Sequence, residues 1–555
     1  MDVNIRIAGE AGQGVDTTGN VLAGAFASLG VYVFASQNFM SRIRGGLNWF
    51  DIRTGDAELF AGRQKAELLV ALTAEALEKL RDDVAEGGAI LFSGAEADGA
   101  IAIEFTTIAK EVGGSAIMAN SVAAGAVFAV LGYEIEPLLA HLAAMLGKKG
   151  DKVVQANHAC VRKGYELAQA RGTRLAAPKP AGAPRAVYAG SMAVGLAAAT
   201  AGVKFVTSYP MSPSTATFTY LASVADEYGI VVEQAEDEIA AINMICGAAY
   251  GGVPAMTTTS GGGFALMAEG LSLAGVAELP VFIMLAQRPG PATGLPTHTA
   301  QEDLKFVISA GHGEFARAVF APGTPQQAYE LTRRALEIAH EYQTPAIVLT
   351  DQHLADLLKT SPPLDESYRP IDRHIVTDPP DDYLSYKLTE SGVSPRALPG
   401  SGAVVVADSH EHTEDGHITE EPDVRVRMQD KRLAKQKGMA GHALQPELYG
   451  PQDAERLLVC WGSTYGPCRE AVDLINGGSS KAQVAMLHFG QVWPIDVETA
   501  RRAIDGKAVT CVEGNSTGQF ASVLRSLGVL AECNTMLKYD SLPFTGEEIA
   551  SRYEP

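Results

Sequence analysis

Three short segments carry side chains whose types and spacing could do chemistry. Tyr209-Pro210-Met211-Ser212-Pro213-Ser214-Thr215 sets a hydroxyl between two prolines, which fix the backbone and leave that hydroxyl able to face a cleft. Glu233-Gln234-Ala235-Glu236-Asp237-Glu238 gathers carboxylates at the start of a Gly/Ala-rich helical pattern, and Thr257-Thr258-Thr259-Ser260-Gly261-Gly262-Gly263 follows it. Gln287-Arg288-Pro289-Gly290-Pro291-Ala292-Thr293-Gly294-Leu295-Pro296-Thr297 combines breakers with one cation and two hydroxyls, a set able to grip a carboxylate. Taken singly, each segment has a plain reading: a rigid turn with a helix N-cap, acids that complement a helix dipole, and a surface loop with a solvated Arg.

The elements that must position them follow from the pattern around them. Strand-like runs at 204–208, 255–259, 281–285 and 346–349 alternate with helical patterns, which predicts an α/β domain from about 186 onward. Ahead of it, Val3-Asn4-Ile5-Arg6-Ile7-Ala8 alternates as a strand and Gly9-Glu10-Ala11-Gly12-Gln13-Gly14-Val15 makes a Gly-rich turn into a helix over 18–29. The turn's spacing, G-x-x-G-x-G, differs from the G-x-G-x-x-G of dinucleotide sites, so tight packing and phosphate approach both remain open. Further βα signals lie at 66–72, 89–92 and 115–118, and a helical run at 153–171 closes this unit. The Pro/Ala stretch 176–184 reads as an extended linker. Residues 360–450, Pro-rich and charged, read as a long connector, partly extended, and 453–555 as a third, smaller α/β domain.

Bulk properties narrow the function classes. A formal charge of −21 argues against a general affinity for nucleic acid or anionic membrane. Hydrophobic residues at 46% and 57 glycines suit an α/β protein with many strand-to-helix turns. The six cysteines, mostly in apolar runs, suit a reducing compartment, and Met1-Asp2-Val3-Asn4 leads into a strand without a signal-peptide pattern, so a cytoplasmic protein is expected. The Ala-rich stretches near 118–132 and 189–203 are short and interrupted, which favours buried helices over membrane spans.

In this order, after successive strands of one α/β domain, the three segments resemble the pyrimidine-binding domain of 2-oxoacid:ferredoxin oxidoreductases. The family's Tyr-Pro-Ile-Thr-Pro-Ser corresponds to Tyr209–Ser214, with Met211 for the branched aliphatic and Ser212 for the threonine. Its Ser-Gly-Pro-Gly corresponds to Ser260-Gly261-Gly262-Gly263, a change that keeps close backbone approach. The likeness also covers Gly9–Val15 and Arg44-Gly45-Gly46, which resemble the family's γ-type domain, and 410–437, which resembles the connector of fused γ/α chains. A metal site on His410, His412 and His417 is the rival reading of that connector, without helical or strand spacing to organise it.

The resemblance implies a multi-domain α/β chain. A γ-type domain over coenzyme A (1–175) and a linker (176–185) lead to the pyrimidine-binding thiamine diphosphate domain (186–385), a connector (386–450) and a transketolase C-terminal-like domain (451–555). It implies that Glu238 hydrogen-bonds the cofactor's aminopyrimidine ring, that Tyr209, Pro210, Met211, Ser260, Gly261 and Gly262 line the cofactor, and that Ser212 is catalytic. Arg288 and Thr297 would then lie near the 2-oxoacid carboxylate, and Gly12, Gly14, Arg44, Gly45 and Gly46 near coenzyme A. The chain has no Gly-Asp-Gly motif and no C-x-x-C pair. Mg²⁺, the diphosphate site and a [4Fe–4S] cluster are therefore expected on a partner β subunit, in an (αβ)₂ assembly that passes electrons to ferredoxin. No metal is assigned to this chain. The layout resembles 2-oxoglutarate synthases, with pyruvate or broad and branched 2-oxoacids behind. Outside that class stands a non-catalytic coenzyme A- or nucleotide-binding protein built on the Gly9–Val15 turn.

Overall fold

The structure, a computed structural model, describes residues 1–41, 45–180, 183–478 and 483–553. The chain forms two compact units. The first comprises residues 1–189, 356–363 and 544–551; the second comprises 190–355, 364–543 and 552–555.

The first unit is built on an eight-stranded mixed sheet. Asp2–Ala11 lies at its centre, parallel to Ala66–Ala71 on one side and antiparallel to Gly45–Gly55 on the other. Gly45–Gly55 and Tyr32–Asn38 form an antiparallel pair, so this unit departs from the simple βα alternation expected of it. Leu358–Ser361, within the span read from sequence as the second domain, pairs with Tyr32–Asn38 and with Ala186–Ala189. Lys359 is buried there and meets Glu58 at 2.5 Å. The βα signal at 115–118 is a single 3-10 turn, Ala116–Met118, because Ser115 accepts from the Ile117 amide and starts a helix instead of a strand. The Ala-rich helix Ala119–Leu131 is buried on nearly every face, as its composition requires.

The second unit carries two sheets. The larger runs in the order Gln491–Trp493, Ala318–Phe320, Ala346–Asp351, Phe282–Gln287, Ala255–Thr259, Phe205–Ser208 and Val231–Gln234, parallel except for the first edge strand. Its central strands are buried on both faces, hence their continuous apolar runs. The smaller sheet, order Glu447–Tyr449, Val484–Phe489, Arg456–Trp461, Ala508–Glu513 and Asn534–Leu537, shares one hydrophobic core with the larger.

Within the connector, Pro422–Gly441 is a helix of 20 residues that the sequence reading did not place. It starts with Pro422 in its first turn and Asp423 at the positive end of its dipole. Its inward face carries Lys431 and Lys435, both paired with the buried Glu278, with Lys431 Nζ 2.5 Å from Oε1. Arg432 binds Glu411 through two donors. Within the connector, His412 is buried against the Tyr386 ring, while His410 and His417 sit outside beside Asp408 and Asp415.

Candidate functional site

Four neighbouring strands of the larger sheet end on one edge, and each hands the chain to one of the segments singled out by sequence. Ser208 precedes Tyr209–Thr215, Gln234 precedes the acids that lead to Glu238, Thr259 precedes Ser260, and Gln287 precedes Arg288. The carboxyl ends of parallel strands are where α/β sheets bind ligands, because the following turns and helix N-termini face one crevice.

Three contacts draw the segments together. Ser260 Oγ donates to Met211 Sδ at 3.2 Å, joining the glycine run to the first segment. Arg288 Nη1 donates to the Ser212 carbonyl at 2.7 Å, joining the third segment to the first. Glu238 opens the helix Glu238–Tyr250, whose N-cap Asp237 accepts from the Ala240 amide at 2.7 Å, and that cap sets the entry angle of the Glu238 side chain. A Cβ added at Gly263 would lie 2.5 Å from Glu238 Oε1, so only glycine lets this backbone pass the carboxylate.

Glu238 is 3% exposed, and its Oε1 has no hydrogen-bond partner among the described residues. A buried, unpaired carboxylate oxygen is costly and calls for a donor from outside the protein. The N–H edge of an aminopyrimidine ring is such a donor, and with the glycine run beside it the residues present fit a thiamine pyrimidine.

Tyr209 and Ser212 are exposed, and Pro210 and Met211 are half-buried. The carbonyl of Ser212 is the group that Arg288 engages, and Ser214 turns its hydroxyl back to the Met211 carbonyl at 2.7 Å instead of capping the next helix. Thr297 is buried in the loop that Leu295 tightens by donating to the Pro289 carbonyl.

Asp303 is a neighbour that sequence reasoning did not single out. Its amide donates to Gln287 Oε1 at 2.9 Å, its carboxylate lies where a Gly261 side chain would stand, and its Oδ2 is buried without a partner among the described residues. Burial, with Glu302 nearby, pushes its carboxyl up to about 6 against the pull of Arg288. Burial correspondingly lowers the Arg288 guanidinium, opposed by Asp303. The signal in sequence is faint: an acid just ahead of a short helix, which reads as a cap.

In the first unit, the Gly-rich turn borders a cavity of about 810 Å³ lined in part by Gly12, Gln13, Gly14, Asn38, Trp49 and Asn120. Gly14 is the left-handed N-cap of the helix Val15–Ser28, and an added Cβ there would collide with Asn120 Nδ2 at 2.2 Å. Gly45 and Gly46 open the strand Gly45–Gly55; Arg44 lies outside the described residues.

No helix among the described residues is long and apolar enough to cross a membrane. Residues 196–431 match the family described as "Pyruvate flavodoxin/ferredoxin oxidoreductase, thiamine diP-bdg", and residues 4–167 the family described as "Pyruvate ferredoxin/flavodoxin oxidoreductase". The chain is 30% identical to the 2-oxoacid:ferredoxin oxidoreductase subunit alpha of Sulfolobus sp, covering 99% of this chain and 96% of that one. It is likewise 30% identical to the 2-oxoglutarate oxidoreductase subunit KorA of Mycobacterium tuberculosis, over 99% and 90%. Among solved structures, the 2-oxoglutarate:ferredoxin oxidoreductase from Magnetococcus marinus with 2-oxoglutarate, coenzyme A and succinyl-CoA bound superposes with a TM-score of 0.91 at 32% identity, covering 99% of this chain and 98% of that one. The chain therefore belongs to the 2-oxoacid:ferredoxin oxidoreductases, as an α subunit with a thiamine diphosphate-binding domain.

Proposed function

We propose that this α subunit serves a 2-oxoglutarate:ferredoxin oxidoreductase, converting 2-oxoglutarate and coenzyme A to succinyl-CoA and carbon dioxide with electrons passed to ferredoxin, reversibly in principle. The observation that carries the substrate is the end-to-end likeness, at a TM-score of 0.91, to an enzyme whose structure holds 2-oxoglutarate, coenzyme A and succinyl-CoA.

Thiamine diphosphate, when bound, supplies the electron sink for decarboxylation. Glu238 would hydrogen-bond the aminopyrimidine ring and hold the shared proton at its buried carboxyl group. Tyr209, Pro210 and Met211 form one wall, and Ser260, Gly261 and Gly262 bring the backbone close on the other. Arg288, steered by the Ser212 carbonyl, offers its remaining donors to the 2-oxoacid carboxylate, with Thr297 and Ser212 beside it. The burial of Glu238 strengthens its contact by keeping water out. Gly12 and Gly14, which line the cavity of the first unit, belong in this reading to the coenzyme A site together with Gly45 and Gly46, and the Val15–Ser28 helix dipole favours an anionic group there. Residues 1–175 act as the γ-type domain, 186–385 as the pyrimidine domain and 451–555 as the transketolase C-terminal-like domain. A β subunit supplies Mg²⁺, the diphosphate site and a [4Fe–4S] cluster in an (αβ)₂ assembly.

The test is steady-state kinetics of the anaerobically co-purified complex with coenzyme A, methyl viologen and a panel of 2-oxoglutarate, pyruvate and branched 2-oxoacids. A kcat/KM highest for 2-oxoglutarate is the expected result. A preference for pyruvate, or equal values across the panel, would replace 2-oxoglutarate as the substrate and leave the reaction class standing.

A further inference from the structure

Four of the six cysteines lie in or beside the smaller sheet. Cys460 is in the strand Arg456–Trp461, Cys468 in the helix Tyr465–Gly477, Cys511 in the strand Ala508–Glu513, and Cys533 just ahead of the strand Asn534–Leu537. Cys460, Cys468 and Cys511 are fully buried; Cys533 is partly exposed. Cys511 donates its S–H to Cys533 with the sulfurs 3.8 Å apart, and Arg525 Nη1 donates to the same Cys533 sulfur at 3.8 Å. A sulfur that accepts from a thiol and a guanidinium is stabilised as thiolate, the nucleophilic form. The hydrogen bond from Cys511, aided by the Arg525 charge, lowers the Cys533 thiol to about 7 against the effect of burial. No step of the proposed reaction uses this pair.

We propose that Cys533 is a peroxide-reactive thiol and Cys511 its resolving partner, joined by hydrogen peroxide into an intrachain disulfide. The Cys533 thiolate attacks one peroxide oxygen; an S–O bond forms, the O–O bond breaks, and the departing hydroxide takes up the proton that Cys533 released, leaving a sulfenic acid and one water. The Cys511 sulfur then attacks the Cys533 sulfur; the S–S bond forms, the S–O bond breaks, and the hydroxyl leaves as a second water with the Cys511 proton. The two thiols lose two electrons in all, and the peroxide gains them.

The fold leaves room for this closure. Disulfide formation draws the sulfurs to about 2.05 Å. Cys533 precedes Asn534, the first residue of its strand to pair, opposite Thr510. It can therefore approach Cys511 without breaking a ladder pair, while Cys511 stays fixed between Val459 and Thr535.

The test is a hydrogen peroxide titration of the reduced full-length chain, quenched by alkylation and mapped by peptide mass spectrometry. The expected product is a peptide pair joined through Cys511 and Cys533, lighter by two hydrogens, that appears before oxidation at Cys160, Cys246, Cys460 or Cys468. Cys511→Ser should leave Cys533 as a sulfenic acid that a dimedone probe captures. Arg525→Gln, an exposed change that leaves the core untouched, should slow Cys533 oxidation several-fold. Cys533 that stays reduced while the other thiols react, or a disulfide between other cysteines, would overturn the proposal. So would an Arg525→Gln chain oxidised at the wild-type rate.

Discussion

Replacing Gly263 by Ala adds one methyl group against two buried side chains of the candidate site. The new Cβ would lie 2.2 Å from Thr259 Oγ1, 2.5 Å from Glu238 Oε1 and 2.8 Å from Glu238 Cγ. Thr259 and Glu238 are both buried, so neither can swing into solvent. Overpacking of this kind costs about 1–3 kcal/mol. Alanine returns about 1 kcal/mol of helix propensity, which leaves a net destabilisation of up to about 2 kcal/mol. The carboxylate must also shift, and a displacement of about 1 Å at a reacting centre lowers rate by about a hundredfold. Gly262→Ala is the contrast, because its Cβ meets nothing nearer than the Ala292 carbonyl at 3.9 Å. That chain should unfold at or above the wild-type temperature yet bind thiamine diphosphate more weakly, since the new methyl occupies the space left for the cofactor. Thermal unfolding of the chain and cofactor titration of the assembled complex separate the two effects. A Gly263→Ala enzyme with wild-type stability and turnover would refute the packing argument, as would a Gly262→Ala chain that is destabilised.

Three further outcomes are expected. Arg288→Ala should raise the KM for the 2-oxoacid by about tenfold to a hundredfold, the equivalent of a charge-assisted contact of about 1.5–3 kcal/mol, with little change for coenzyme A; equal effects on both substrates in steady-state kinetics would reassign the residue. The Asp303 carboxyl is raised from 3.8 to about 6 by burial, so its contribution to stability is present below 3.8 and lost as pH rises through 6. Asp303→Asn should therefore gain stability over the wild type, by about 2 kcal/mol, as pH rises from about 4.5 to above 6 in urea unfolding, whereas parallel profiles would show that Asp303 titrates normally. Glu278→Gln removes the anion between Lys431 and Lys435 and should destabilise the chain by about 3–5 kcal/mol in thermal unfolding; a neutral result would mean that the lysines reach solvent.

Four strands of the larger sheet, Phe205–Ser208, Ala255–Thr259, Phe282–Gln287 and Ala346–Asp351, and the three chemical segments are legible in the sequence because each depends on local signals: an apolar run, then prolines, glycines or a carboxylate at a strand exit. Three features are not legible, for physical reasons. The inward face of Pro422–Gly441 is helically spaced, at Met428, Lys431, Arg432, Lys435 and Met439, but mostly cationic, so a search for apolar periodicity passes over it. Leu358–Ser361 joins the sheet of the first unit through pairing with residues over three hundred positions earlier, which no local pattern encodes. Asp303 acquires its buried oxygen, without a partner among the described residues, only when the loop after Gln287 folds against Gly261. Within the site, Ser212 is legible as a member but not in its contact, since Arg288 engages the backbone carbonyl and a carbonyl has no sequence signature.

The most direct test of the account is the reduction of methyl viologen by the anaerobically co-purified complex, with coenzyme A and a 2-oxoacid, using wild-type chain and Glu238→Gln side by side. The account predicts acid- and coenzyme A-dependent reduction by the wild type, with iron and thiamine diphosphate in the complex. It predicts loss of turnover in Glu238→Gln with the partner still bound. Turnover by Glu238→Gln at the wild-type rate, or a wild-type complex that reduces no dye with any 2-oxoacid, would contradict it.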